Sequence, residues 1–194
     1  MGSTFFVYLR LGFSHIADLK GYDHILFVVA LCALYTFRSW KDLLWLITAF
    51  TVGHSITLAL ATLNIVHFDT KLIEFLIPVT IFITSCLNIL RPETSERNRF
   101  KWGKYGLALG FGLIHGLGFS NFLREILGKE ESLALPLFAF NVGLEFGQLA
   151  IVSMALALTW LVVDRLKRRH HDWILVLSGA TAGISLLMAF ERMI

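Results

Sequence analysis

Six stretches of this chain are apolar for long enough to cross a lipid bilayer: residues 21–37, 43–64, 71–90, 105–123, 134–163 and 173–191. A helix needs roughly 17–25 such residues to cover the hydrocarbon, since each advances it by about 1.5 Å. Lipid offers no partners to backbone amides, so segments of this kind are restricted to helix. The six take up most of the 194 residues and leave no room for a separate soluble domain. The expected fold is all-α, a polytopic membrane helical bundle of about six transmembrane helices, with residues 1–194 forming one integral membrane domain. Only 16% of the residues are charged, against about a quarter in a soluble domain. Catalysis or nucleic-acid binding by a soluble domain is excluded, and any function must lie in or beside the bilayer.

The cations set the expected orientation. Arg38 and Lys41 follow the first stretch, Arg91, Arg97, Arg99, Lys101 and Lys104 the third, and Arg165, Lys167, Arg168 and Arg169 the fifth. The other side carries Arg10, Lys20, Lys71, Arg124, Lys129 and Arg192. The positive-inside rule assigns the larger set to the cytoplasm and both termini to the extracytoplasmic side. Trp40, Trp45, Trp102, Trp160 and Trp173 lie near the same cytoplasmic ends, as an interfacial belt would. The net charge of +3 is thereby explained by topology and anionic lipid, and no nucleic-acid partner is expected. His170 and His171 read as loop residues. The start, MGSTFF, has neither a basic segment nor a cleavage site, so no secretory signal is expected. Cys32 and Cys86 fall within apolar stretches and read as small hydrophobes.

Ionisable groups inside a membrane helix cost roughly 2.5–3.5 kcal/mol each on insertion scales, so a chain that keeps several uses them. The second stretch contains TAFTVGHSITLAL, with Thr51, His54 and Ser55 on one helical face; the fourth contains GLIHGLGFS, with His115; the fifth contains FNVGLEFGQLA, where Asn141, Glu145 and Gln148 form a stripe. At about 1.5 Å per residue, His54, His115 and Glu145 all fall roughly 12–16 Å below the outer ends of their helices. Asp23 and His24 open the first stretch on that side. The preceding STFFVYLRLGFSHIADL is apolar enough to lie in the interface or enter as a re-entrant segment, which would carry them inward. Imidazoles and carboxylates gathered at one depth form a ligand set for zinc, nickel, cobalt or ferrous iron, with Asp23 suited to orient a ligating histidine. A lone Thr51, Asn88 or Gln148 reads instead as interhelical hydrogen bonding. His67 belongs to a loop, and Glu74 is close enough to the interface for simple solvation.

Four GxxxG pairs (Gly106 with Gly110, Gly112 with Gly116, Gly143 with Gly147, Gly179 with Gly183) permit close helix approach within the chain or between copies in a homo-oligomer. Two of them bracket His115 and Glu145.

The blocks GFSHIADLKGYDHILFVVAL, TAFTVGHSITLAL, GLIHGLGFS and FNVGLEFGQLA, in that order and over nearly the whole chain, resemble the HupE/UreJ family of bacterial membrane proteins. The resemblance implies a multi-pass protein of the bacterial inner membrane, generally regarded as a nickel or cobalt permease. Its metal residues fall here on His15, Asp23, His24, His54, His115 and Glu145. A separate nickel/cobalt transporter family places a histidine four residues before its Asp-His pair. Here seven residues separate His15 from Asp23, so that family's geometry is not transferred.

Two functions are therefore expected. The first is uptake of a divalent cation (nickel, cobalt or zinc) captured in the outer half of the bilayer. The second is a membrane-embedded zinc hydrolase acting on a lipid or membrane peptide from the outer leaflet, with Glu145 or Asp23 as general base and Ser55 orienting water or an oxyanion. Transport requires polar groups further inward, where the sequence offers few, whereas the hydrolase lacks a compact motif such as HExxH.

Overall fold

The computed structural model describes residues 2–90, 98–127 and 132–193, with side chains from residue 4 and, in the second stretch, from residue 102. Arg91, Arg97 and Lys129 lie outside the described residues, as do the side chains of Arg99 and Lys101. The described residues build seven α-helices: α1 (Gly2–Ile16), α2 (Asp23–Cys32), α3 (Trp40–Thr62), α4 (Thr70–Leu90), α5 (Asn98–Leu127), α6 (Ala134–Thr159) and α7 (His170–Met193). A wider turn carries α6 on to Arg165.

Five segments are long and apolar enough to cross a membrane: Phe37–Thr62, Thr70–Leu90, Trp102–Leu127, Ala134–Arg165 and His170–Met193. They match five of the six expected stretches. The remaining one, 21–37, holds only the ten-residue helix α2. Local bonds cut it at both ends. Before it, the Asp18 carboxylate accepts the Lys20 N–H at 2.9 Å in a turn that leads into Gly21. Beyond it, Tyr35 N–H closes back on the Cys32 carbonyl at 2.9 Å, and Ser39 and Thr36 bond each other at 3.0 and 3.2 Å. The segment expected to be interfacial or re-entrant is the helix α1, and it packs along α6.

Glycine contacts fix the helix directions. A Cβ on Gly12 would strike the Phe140 carbonyl, one on Gly143 the Leu9 carbonyl, and Gly147 meets Phe13 and Ile16. Gly143 faces Leu9 and Phe13, and Gly147 one turn on faces Phe13 and Ile16, so the numbers rise together and α1 and α6 run parallel. By the same reasoning Gly53 against Leu109, Gly112 against Phe50 and Gly116 against His54 make α3 and α5 parallel. Helix α2 starts beside Arg192 near the end of α7, while its Ala30 carbonyl accepts a 2.7 Å bond from Asn88 near the end of α4. It therefore runs with α4 and against α7. Helices α1 and α2 share no packed face, yet both run in the direction of α4 and α6. Together they form one interrupted path, broken at residues 17–22.

Lipid is as apolar as leucine, so such helices gain little from hiding leucine from it, and association relies on close packing and interhelical hydrogen bonds. The glycine seams supply the packing. Between α3 and α5, Thr57 adds a 2.7 Å bond to the Leu113 carbonyl. Gly106, Gly110, Gly179 and Gly183, in contrast, have nothing within 4 Å and face outward. The bundle is apolar inside, at Phe27, Phe50, Phe140 and Leu144, and also outside, at Trp45, Met154, Leu187 and Phe190. Helix α3 ends in a left-handed residue, Asn64 at φ 63°, with Ile65 N–H reaching the Leu60 carbonyl and Asn64 N–H the Ala61 carbonyl. That double bond pattern satisfies its last carbonyls without water.

Candidate metal centre

Four histidines from four helices meet where the α1–α2 path is broken. His15 belongs to the last turn of α1 and His24 to the first turn of α2. His54 comes from α3 and His115 from α5. The glycine seam between these two helices brings the two imidazoles into one layer, because Gly116 lets the α5 backbone rest on the His54 carbonyl. One donor nitrogen from each of His15, His24 and His54 lies within 4.8 Å of the other two. The His24 ring is the hub, with centroids 4.5 Å from His15, 5.8 Å from His54 and 5.3 Å from His115.

Hydrogen bonding orients the rings. His24 donates Nδ1–H to Asp23 Oδ1 at 3.1 Å, and His115 donates Nδ1–H to the Phe111 carbonyl at 2.8 Å. Each bond leaves Nε2 as the lone-pair nitrogen. The Nε2 atoms of His15, His24, His54 and His115, and also Nδ1 of His54, are buried with no hydrogen-bond partner among the described residues. A buried polar atom left unpaired costs about 1–3 kcal/mol, so a cluster of them calls for a ligand. The ligand nitrogens of His15, His24 and His54, close to one another and with His24 oriented by a carboxylate, fit a borderline divalent metal ion, and His115 lies beside the His24 ring outside that group of three.

Phenyl rings wall this layer on both sides. Phe119 lies 3.8 Å from the His15 ring and stacks on Phe140 at 5.3 Å. On the other side, Phe27 and Phe50 each lie 5.1 Å from His115 and 4.7 Å from each other.

Asp23 stands beside the histidines, as expected, but it is shared. Its Oδ1 holds the His24 backbone N–H at 3.0 Å together with the ring, and Oδ2 accepts from both Arg192 terminal nitrogens at 3.2 and 3.3 Å. Arg192 also donates to the Glu74 carbonyl at 3.1 Å. The sequence marks Arg192 only as a cation at a helix end, and nothing in its spacing points to Asp23.

Glu145 is elsewhere. Its carboxylate accepts a 3.0 Å bond from Thr48 of α3, and it joins no described group of three metal-ligand atoms. It is one member of a ladder between α3 and α6 in which Ser55 donates to Asn141 and Thr51 to Gln148, each at 2.6 Å. Ser55 is thereby engaged with Asn141 and the Thr51 carbonyl, not with an imidazole. His67 is exposed, and His170 and His171 open α7. The Glu74 side chain is exposed as well.

The family model described as HupE / UreJ protein matches residues 1–192. No curated protein and no solved structure matches the chain.

Proposed function

The chain belongs to the HupE/UreJ family, and from that premise we propose that it takes up a divalent transition metal, nickel or cobalt in the first instance and zinc as the competing cargo, across the bacterial inner membrane. The reading is carried by one observation: three buried imidazoles, His24, His54 and His115, and the half-buried His15 present buried Nε2 atoms that no described residue satisfies. In this reading His15, His24 and His54 hold the ion, His115 stands beside His24 as a further imidazole for it, and Asp23 orients His24. The α1–α2 pair acts as a sixth, interrupted crossing, which puts both termini on the extracytoplasmic side. Binding at the break of a discontinuous helix is a recurrent solution in transporters, since the free helix ends supply polar groups and can shift relative to each other. The imidazole set suits borderline cations and excludes hard ones such as magnesium, which prefer oxygen. The phenyl layers keep water from competing for the ion.

The zinc hydrolase reading has less support. Ser55 and Glu145 are both bonded in the α3–α6 ladder, and Asp23, although beside the histidines, is engaged with His24 and Arg192, which leaves neither carboxylate free to act as a general base. The test is metal retention by purified protein, with His54→Ala and His115→Ala as controls, followed by entry of nickel, cobalt and zinc into sealed proteoliposomes. Uptake abolished by both substitutions is expected. Metal held at fixed stoichiometry with no entry would reject uptake.

A further inference from the structure

An ion leaving the histidines needs an inward route, and the direct one is unfavourable. Below the imidazoles stand Phe27, Phe50 and Phe111, and beyond them a cavity of about 260 Å³ whose walls are mostly leucine, with Asn88 already bonded to the Ala30 carbonyl and the cation Lys104 among the lining residues. A desolvated divalent cation gains nothing from such walls. The α3–α6 interface is different. The two helices make few backbone contacts, and polar side chains bridge the gap between them at successive turns: Ser55 to Asn141, Thr51 to Gln148, Thr48 to Glu145. Ser55 adjoins His54, and from there to Thr48 the ladder descends α3 by about 10 Å.

Two features of this interface need water or a cation. Gln148 is fully buried, and its Nε2 has no partner among the described residues. Glu145, near the middle of the Ala134–Arg165 segment, is only half-buried and forms no ion pair with any described residue. A carboxylate facing lipid at that depth would be costly; in a wetted groove it is not.

We propose that the α3–α6 groove is the hydrated inward leg of the permeation route and that Glu145 is the charge that draws the metal ion off the histidines. The inference rests on the uptake reading above. Its chemistry is a graded exchange of ligand type. Imidazole nitrogens bind a first-row divalent ion more tightly than amide and hydroxyl oxygens do, so an ion passing from His54 to Ser55, Asn141 and Gln148 meets weaker partners, with a single carboxylate to keep the step from being uphill in charge. Conduction requires sites weak enough to leave.

The test uses the full chain. Glu145→Gln and Gln148→Leu are purified and reconstituted beside wild type, with the lipid-facing Met154→Ala as control. Zinc or nickel bound per protein in detergent is expected to stay within about twofold of wild type, while the initial rate of entry falls by about tenfold or more. Thr48→Cys, in a Cys86→Ala background, should react with a charged, water-soluble thiol reagent, and a bound-metal count at the wild-type level confirms that each variant is folded. If both variants carry metal at the wild-type rate, or if Thr48→Cys reacts no faster than Met154→Cys, the groove is not the route. Loss of binding together with loss of entry would make Glu145 part of the histidine centre and overturn the proposal. Wild-type protein that binds metal but admits none would defeat the uptake reading itself, and the groove proposal with it.

Discussion

Asp23 offers a quantitative test of how the centre is held. Its Oδ1 fixes the His24 ring through a 3.1 Å bond, and the negative charge lies one residue from a histidine whose Nε2 points into the centre. Outer partners of this kind are worth 10–100-fold in metal affinity, or about 1.4–2.7 kcal/mol. Asparagine retains an acceptor for the ring N–H but loses the charge, so Asp23→Asn should weaken binding by about tenfold. Alanine loses both and leaves Arg192 without its carboxylate, so Asp23→Ala should approach about a hundredfold. Arg192→Gln keeps the Asp23–His24 bond and should stay within about threefold of wild type, because its contact with the centre is indirect. Competition against a chromogenic chelator of known affinity, on detergent-purified protein with nickel and zinc, resolves all three. Should Asp23→Ala bind within about twofold of wild type while His54→Ala does not bind, the carboxylate plays no part in presenting His24, and the reasoning fails.

Other consequences are as direct. His54→Ala removes an imidazole with no other partner and should abolish metal retention during gel filtration, measured by elemental analysis of the protein peak. Metal at about 100 times its Kd should raise stability by about 2.7 kcal/mol, read as a shift in thermal unfolding that is absent in that variant. Gly53→Ala and Gly112→Ala put a Cβ into a facing carbonyl and should cost about 1–3 kcal/mol, whereas Gly106→Ala and Gly179→Ala should lie near zero, by the same assay. Asn64→Gly should be tolerated and Asn64→Val should cost about 1–2 kcal/mol, since a β-branched residue resists positive φ.

Much of this arrangement is legible in the sequence, for physical reasons. Apolar length marks the five long helices because lipid tolerates nothing else over that span. Loop charge gives alternating directions, and the common level of His54 and His115 follows from counting residues. The first stretch misleads because 21–37 is apolar almost throughout and has no proline to announce the turn after Cys32. Hydropathy records burial, not where a helix stops. Glu145 is the second lesson. Its i, i+4, i+7 stripe with Asn141 and Gln148 correctly predicts a polar face on α6, but periodicity cannot say which neighbour that face meets, and it meets Thr48, Thr51 and Ser55 of α3. Arg192 reads as an anonymous end charge until α7 is brought beside α2. The GxxxG pairs look alike on paper, yet only the two around His115 and Glu145 have a helix seated on them.

The seating of α1 on α6 has a temporal consequence. Leu9 and Gly12 find their counterparts, Gly143 and Phe140, only after most of the polypeptide has left the ribosome. At about 5–20 residues per second, that delay is on the order of ten seconds. For that interval the amino-terminal helix waits without its mate, and His15 cannot yet stand beside His24 in its finished arrangement. The four-histidine arrangement is thus completed late in biogenesis.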